Sequence, residues 1–118
     1  MKPVAQGERL RINIDDVEFE PYLNADGTSD GLAFQLDRSK PLGTGFHLYK
    51  MEPGYTTIPH QHRGNEEFFL LSGDAVDNDG TVYRPGDLVL MKDGTEHCTY
   101  TENGCVFLVY LQEPEKGV

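Results

Sequence analysis

Long apolar runs are missing from this chain: none of its 118 residues belong to a stretch approaching the ~20 apolar positions that a membrane-spanning helix needs. The opening segment MKPVAQGERLRINIDD has no apolar core of the kind a secretory leader requires, so cytoplasmic residence is expected. Basic residues are scarce, 10 Lys and Arg against 20 Asp and Glu, for a formal charge of −10. Such a surface repels phosphate, which argues against nucleic acid and against anionic membranes as partners; the acidity reads as a solubility feature. Cysteine is limited to Cys98 and Cys105, on either side of Asn103-Gly104, a two-residue hairpin signal. In that register Cys98 faces Val109, which separates the two cysteines by about 13 Å along the ladder. Disulfide Cα atoms lie within about 7 Å of one another. A three-residue loop would put the cysteines on opposite faces instead, so no intrachain bond is expected and Cys98 reads as a packing residue.

Internal repeats, low-complexity tracts and amphipathic helical periods are also lacking. Turn signals are plentiful: Asp26-Gly27, Pro41-Leu42-Gly43, Pro53-Gly54, Asp79-Gly80, Pro85-Gly86, Asp93-Gly94 and Asn103-Gly104. Short alternating segments between them predict an all-β domain of about nine to eleven strands. The expected strands are Arg11–Ile14, Leu32–Leu36, Phe46–Met51, Phe68–Leu71, Ala75–Asp77, Thr81–Tyr83, Asp87–Met91, His97–Tyr100 and Cys105–Leu111. The length suits a single domain over residues 1–118, with N-terminal strands in 1–45 and a barrel in 46–113. Three of the strands, Phe68–Leu71, Leu88–Met91 and Cys105–Leu111, are apolar on both faces and need cover outside as well as inside. Either the chain's own first 45 residues or the exchanged strands of a homodimer can supply it; the dimer is the reading we favour.

The segment GYTTIPHQHRGNEEFFLLSG concentrates the chemistry. Successive side chains on a strand point to opposite faces, so His60 and His62 point the same way. The run that follows also alternates, placing Glu66, Phe68 and Leu70 on one face and Glu67, Phe69 and Leu71 on the other. Two imidazoles and a nearby carboxylate are what a divalent transition metal asks for, although His-x-His also occurs on exposed strands. Further along, PGDLVLMKDGTEHCTY reads as turn, short strand and turn, after which His97 opens another strand.

These residues resemble the two signature motifs of the cupins. Gly54, His60, His62, Glu66 and Gly73 match every fixed position of the first motif, and the six-residue gap before Gly73 selects Glu66 rather than Glu67 as the ligand. Gly86, Gly94 and His97 match the second, with Lys92 in place of its proline and Thr101 in place of its asparagine. The segments EEFFLLSG, DNDGTVYRPGD and ENGCVFLVYLQ are similar, less specifically, to ChrR-type cupins. The resemblance implies an RmlC-like jelly-roll barrel, a double-stranded β-helix. It also implies one divalent metal per chain, held by His60, His62, Glu66 and His97.

Three imidazoles and a carboxylate suit Fe, Mn, Zn, Ni or Cu, and fit Mg or Ca poorly. Tetrahedral zinc would be closed by four such donors, whereas an octahedral ion would keep two positions for substrate. If Asn103-Gly104 is a two-residue turn, His97 pairs with Tyr110, and Val106, Leu108 and Tyr110 share its face. That pairing makes Tyr110 a candidate hydrogen-bond donor to a metal-bound oxygen, although a core tyrosine with its hydroxyl at the rim is the simpler reading. His47, Tyr49 and Met51 share one face of the strand before the motif, which makes His47 a candidate proton shuttle, with a hydrogen-bonded surface or interface histidine as the simpler reading. Tyr83 and Arg84 could meet an anionic substrate but read more simply as hairpin side chains. The expected function is a metal-dependent, dioxygenase-like enzyme of small molecules. The alternative is a non-catalytic metal or ligand sensor, as the ChrR likeness implies. ChrR-type proteins carry a separate N-terminal zinc-binding domain, and the first 45 residues here contain no cysteine for one.

Overall fold

A strand needs a partner as well as an alternating sequence, and that requirement decides which segments of this chain become strands. The computed structural model describes residues 1–23 and 27–117. In it the strands are β1 (Glu20–Leu23), β2 (Ser29–Gln35), β3 (Gly45–Met51), β4 (His60–Gln61), β5 (Glu66–Gly73) and β6 (Ala75–Asp77). They continue as β7 (Val82–Tyr83), β8 (Leu88–Met91), β9 (Glu96–His97), β10 (Thr99–Tyr100), β11 (Cys105–Leu111) and β12 (Lys116–Gly117). One sheet runs β1-β2-β3-β11-β5-β8, and two small ones run β10-β6-β7 and β12-β4-β9. Every pairing is antiparallel. This is the all-β jelly-roll barrel that the sequence predicts. Among the described residues no helix is long and apolar enough to cross a membrane.

The central strand is β11, CVFLVYL, paired on one side with β3 and on the other with β5. Its odd-numbered residues are buried and its even-numbered ones half-buried. Met51, Phe68, Leu70, Ala75, Tyr83, Cys105, Phe107 and Val109 form the core. Phe68 stands edge-on to both Tyr83 and Phe107, each with ring centroids 5.3 Å apart, a geometry that favours aromatic pairs beyond their buried area. Gly73 ends β5 with φ +89°, and a Cβ there would collide with the Gly104 carbonyl and with Cys105, so only glycine fits.

Several expectations need correction. Arg11–Ile14 is not a strand: nothing pairs with it, and Ile14–Asp16 is instead a short 3₁₀ turn whose Asp15 amide donates to Asn13 Oδ1 at 2.9 Å. Residues 1–16 are exposed throughout. The Asn103-Gly104 hairpin does not form. β10 belongs to the small sheet with β6, and β11 to the large one, so these residues carry the chain from one sheet to the other. The corner is held by Asp74, whose carboxylate accepts from the Glu102 amide at 2.8 Å and the Asn103 amide at 3.0 Å. Thr101, where the second motif has asparagine, is fully buried there; its hydroxyl donates to the Asp74 carbonyl at 2.7 Å and accepts from the Gly104 amide at 2.9 Å. The expected strand His97–Tyr100 is split at Cys98, because β9 pairs with β4 while β10 pairs with β6. Twelve strands are found among the described residues, above the predicted range, because two-residue strands such as β4 and β12 are too short to show periodicity. Of the Asp26-Gly27 turn, Asp26 lies outside the described residues.

Candidate metal centre

Pairing β4 with β9 sets His60 directly opposite His97. The ladder continues past the strand ends: the His62 amide donates to the Thr95 carbonyl at 2.9 Å, and the Gly94 amide to the His62 carbonyl at 3.0 Å. Three imidazoles therefore converge, with ring centroids 4.6–5.2 Å apart. A ligand nitrogen from each of His60, His62 and His97 lies within 4.8 Å of the others. Glu66, first residue of β5, enters from the large sheet on the face it shares with Phe68 and Leu70, and all three are buried.

The outer partners fix which nitrogen each ring presents. His60 Nδ1 lies 2.9 Å from the Ile58 carbonyl, an acceptor only, so that nitrogen carries the proton. His97 Nδ1 lies 2.8 Å from Asp77 Oδ2 and donates to that carboxylate. His62 Nδ1 lies 2.9 Å from Thr95 Oγ1, whose own proton goes to the Lys92 carbonyl at 2.7 Å. Having given away its proton, the threonine oxygen accepts from His62. In all three rings Nε2 is left as a bare lone pair turned inward, the tautomer a metal requires.

His62 Nε2 is buried and has no hydrogen-bond partner among the described residues. Its near neighbour is Glu66 Oε1 at 3.3 Å. Neither atom carries a proton, so two electron-rich atoms face each other in a buried site. A cation between them resolves this: donors about 2.1 Å from one ion are about 3.0–3.4 Å apart. The residues fit a divalent transition ion. Burial alone would raise the Glu66 carboxyl, but in the metal-free chain a proton taken up by His62 beside it, or by His60 or His97 nearby, favours its charged form and brings it below the ordinary carboxylate value. Burial, only partly offset by the Ile58 carbonyl, lowers His60 and favours its neutral form.

Asp77 has no site role in the sequence-based expectations, and Tyr83, read there as a hairpin side chain, braces it from the core. Asp77 is buried; besides His97 it accepts from Tyr83 Oη at 2.6 Å and from Thr99 Oγ1 at 2.7 Å. Burial opposes its charge, but the donors His97, Tyr83 and Thr99 outweigh it and its carboxyl stays below the usual range. Burial and Asp77 push the Tyr83 phenol well up, so it stays a donor. The signal was present in the strand Ala75–Asp77: a carboxylate two positions from a buried alanine points inward. Arg84 is exposed, and its amide donates to Asp87 Oδ2 at 2.9 Å.

A cavity of about 450 Å³ opens onto the cluster, lined at its polar end by His60, Glu66 and His97. Tyr49, Met51, Phe68, Phe107 and Val109 make its apolar wall. His47 lines it, as parity predicts; its Nδ1 donates to the Gly45 carbonyl at 3.1 Å, and burial lowers its pKa. Tyr110 does not line it. β11 pairs with β3 and β5 rather than with His97, which turns Tyr110 outward against Phe46, ring centroids 5.3 Å apart.

Residues 8–114 match the ChrR Cupin-like domain family. Comparison with curated proteins finds no match. Among solved structures, the chain is similar to the polyketide cyclase RemF from Streptomyces resistomycificus, at 23% identity over 93% of this chain and 85% of that one (TM-score 0.68). It is similar to a putative acetylacetone dioxygenase from Methylibium petroleiphilum, at 17% identity over 97% and 83% of the two chains (TM-score 0.75). It also resembles a chain in the complex of SigE with the anti-sigma ChrR from Rhodobacter sphaeroides, at 23% identity over 82% of this chain and 49% of that one (TM-score 0.62). At these identities the structural likeness speaks for the fold.

Proposed function

Because the chain belongs to the ChrR cupin-like domain family, we propose that it is a metal-dependent, dioxygenase-like enzyme acting on a small molecule. The observation that carries this reading is the apolar cavity of about 450 Å³ ending at His60, Glu66 and His97. A site meant only to store or brace a metal needs no such chamber. His60, His62, Glu66 and His97 hold one divalent ion, of the Fe, Mn, Zn, Ni or Cu group. When bound, that ion supplies Lewis acidity and, if redox-active, one-electron chemistry.

The remaining tasks fall to the chain. Tyr49, Met51, Phe68 and Phe107 hold the carbon skeleton of the substrate and exclude water from the polar end. His47 is placed to accept a proton: its Nδ1 proton is committed to the Gly45 carbonyl, and a lowered pKa leaves Nε2 unprotonated near neutrality. The likeness to an acetylacetone dioxygenase from Acinetobacter johnsonii, and to the putative one from Methylibium petroleiphilum, supports a compact chelating substrate such as a diketone. The test is oxygen consumption by protein reconstituted with Fe(II) or Mn(II), offered diketones, catechol-like compounds and thiol acids. Turnover that a chelator abolishes is expected; no metal-dependent turnover with any of them sinks the enzyme reading.

The family match also favours a second reading, a non-catalytic metal or ligand sensor, since ChrR is an anti-sigma factor complexed with SigE. Tightly bound zinc with four protein ligands and no exchangeable position would decide for it. Both readings place the protein in the cytoplasm, without nucleic-acid or membrane partners, as a homodimer. The dimer is supported by the exposed, alternating Leu10, Ile12 and Ile14 of the N-terminal segment and by Leu88, Leu90 and Phe46 on the outer face of the large sheet. Sedimentation equilibrium reads it directly, and a monomer at micromolar concentration would refute it.

A further inference from the structure

The C-terminal tail brings one more carboxylate to the cluster. β12 pairs with β4, Lys116 opposite Gln61 and Gly117 opposite His60, so the tail runs along the strand that holds the first histidine. Between residues 112 and 117 every side chain is exposed except that of Glu115, which turns inward and lines the cavity. Glu115 Oε1 lies 3.7 Å from His60 Nε2. A Glu115 carboxylate oxygen also lies within 4.8 Å of ligand atoms of both His62 and Glu66. With the His60 proton committed to Ile58 on the far side of the ring, Nε2 has none to offer Glu115. The pair is too long for a hydrogen bond and suits two donors turned toward a shared ion.

We infer that Glu115 is a fifth, displaceable metal ligand, and that the tail carrying it is a gate over the cavity. This rests on the metal site proposed above. Three neutral imidazoles and Glu66 leave a divalent ion with one uncompensated positive charge beside an apolar wall, where unbalanced charge is costly. Glu115 neutralises it in the resting state. The gate rests on a short ladder: among the described residues β12 is two exposed residues long and pairs with β4 alone. An anionic chelating ligand that brings its own negative charge can therefore take the place of Glu115 and lift the tail. Glu115 lies one residue beyond the segment that matches the family, so the cupin resemblance did not foretell it.

The experiment uses the full chain loaded with Co(II), comparing wild type with Glu115→Gln and Glu115→Ala. Competition against a chromophoric chelator gives the Co(II) dissociation constant, the visible absorption reports coordination, and oxalate serves as the displacing probe. Both variants should bind Co(II) about 10-fold more weakly, with an altered visible spectrum, and should bind oxalate several-fold more tightly. Unchanged Co(II) affinity and spectrum in both would overturn the ligand role, and unchanged oxalate affinity would overturn the gate. A wild type that takes up no Co(II) would remove the metal site and this inference together. Normal Co(II) uptake without any effect of the variants removes the inference alone.

Discussion

Two of the places where the barrel buries polar groups are treated in opposite ways. At the corner between β10 and β11, Thr101 is wholly buried and fully satisfied, its hydroxyl donating to Asp74 and accepting from Gly104. At the histidine cluster, His62 is as deeply buried, yet its Nε2 meets no donor among the described residues. Leaving such an atom dry costs about 1–3 kcal/mol. A chain that satisfies one pole completely and leaves one atom open at the other has reserved that atom for something absent from its own composition.

Substitutions at the two poles should break this symmetry in opposite directions. The largest effect belongs to His62→Ala, which should weaken metal binding by more than about 100-fold, since metal-site free energies of about 10–16 kcal/mol are shared among a few donors. The metal-free variant should be destabilised far less than the change in metal affinity would suggest, because Nε2 had no partner and the ring gives up only its Nδ1 bond to Thr95 and its packing; chelator competition and denaturant unfolding read the two effects separately. Thr101→Val should do the reverse, lowering stability by about 2–4 kcal/mol in urea titrations, because it orphans the Gly104 amide and the Asp74 carbonyl together. Asp77→Asn tests the bridge between structure and site. Metal affinity should fall about 10–100-fold, as for other partners of a ligating histidine. Stripping the metal from the wild type should lower stability by about 2.7 kcal/mol when the free ion had been at a hundred times its dissociation constant.

Acidification gives the smallest expected effect. His47 and His60 titrate below 6.5 in the folded chain, so between their folded values and 6.5 the unfolded chain binds more protons. Their contribution is complete above 6.5 and is lost as pH falls through the folded values. Glu66 and Asp77, with carboxyls lowered by folding, lose theirs only at lower pH, as pH drops below the ordinary carboxylate range. Thermal unfolding of the metal-free protein should show a first loss below about 6.5 and a steeper one below about 4.5. A melting temperature flat from pH 7 to 4 would contradict it.

How much the sequence disclosed depended on distance along the chain. Parity within one strand put His47, Tyr49 and Met51 together, and likewise Glu66, Phe68 and Leu70; the observed faces agree. The convergence of His60, His62 and His97 came from motif spacing that stands in for a fold already known, not from local pattern. Which strand lies beside which is not legible in local pattern. Tyr110 was placed by assuming that β10 and β11 pair, and they lie in different sheets. Asp77 sits 20 positions from the histidine it orients, and Glu115 further still from His60, so no short-range pattern joins them.

The single hydroxyl proton of Thr95 has a wider consequence. It points to the Lys92 carbonyl, and that direction alone decides which nitrogen of His62 is left bare. The surface turn Lys92–Thr95 therefore acts as a distant dial on the chemistry inside the barrel. Drift in this loop, or deliberate redesign of it, can change how strongly the imidazole donates while every metal-facing residue stays the same. A family could vary its reactivity there without rebuilding a pocket.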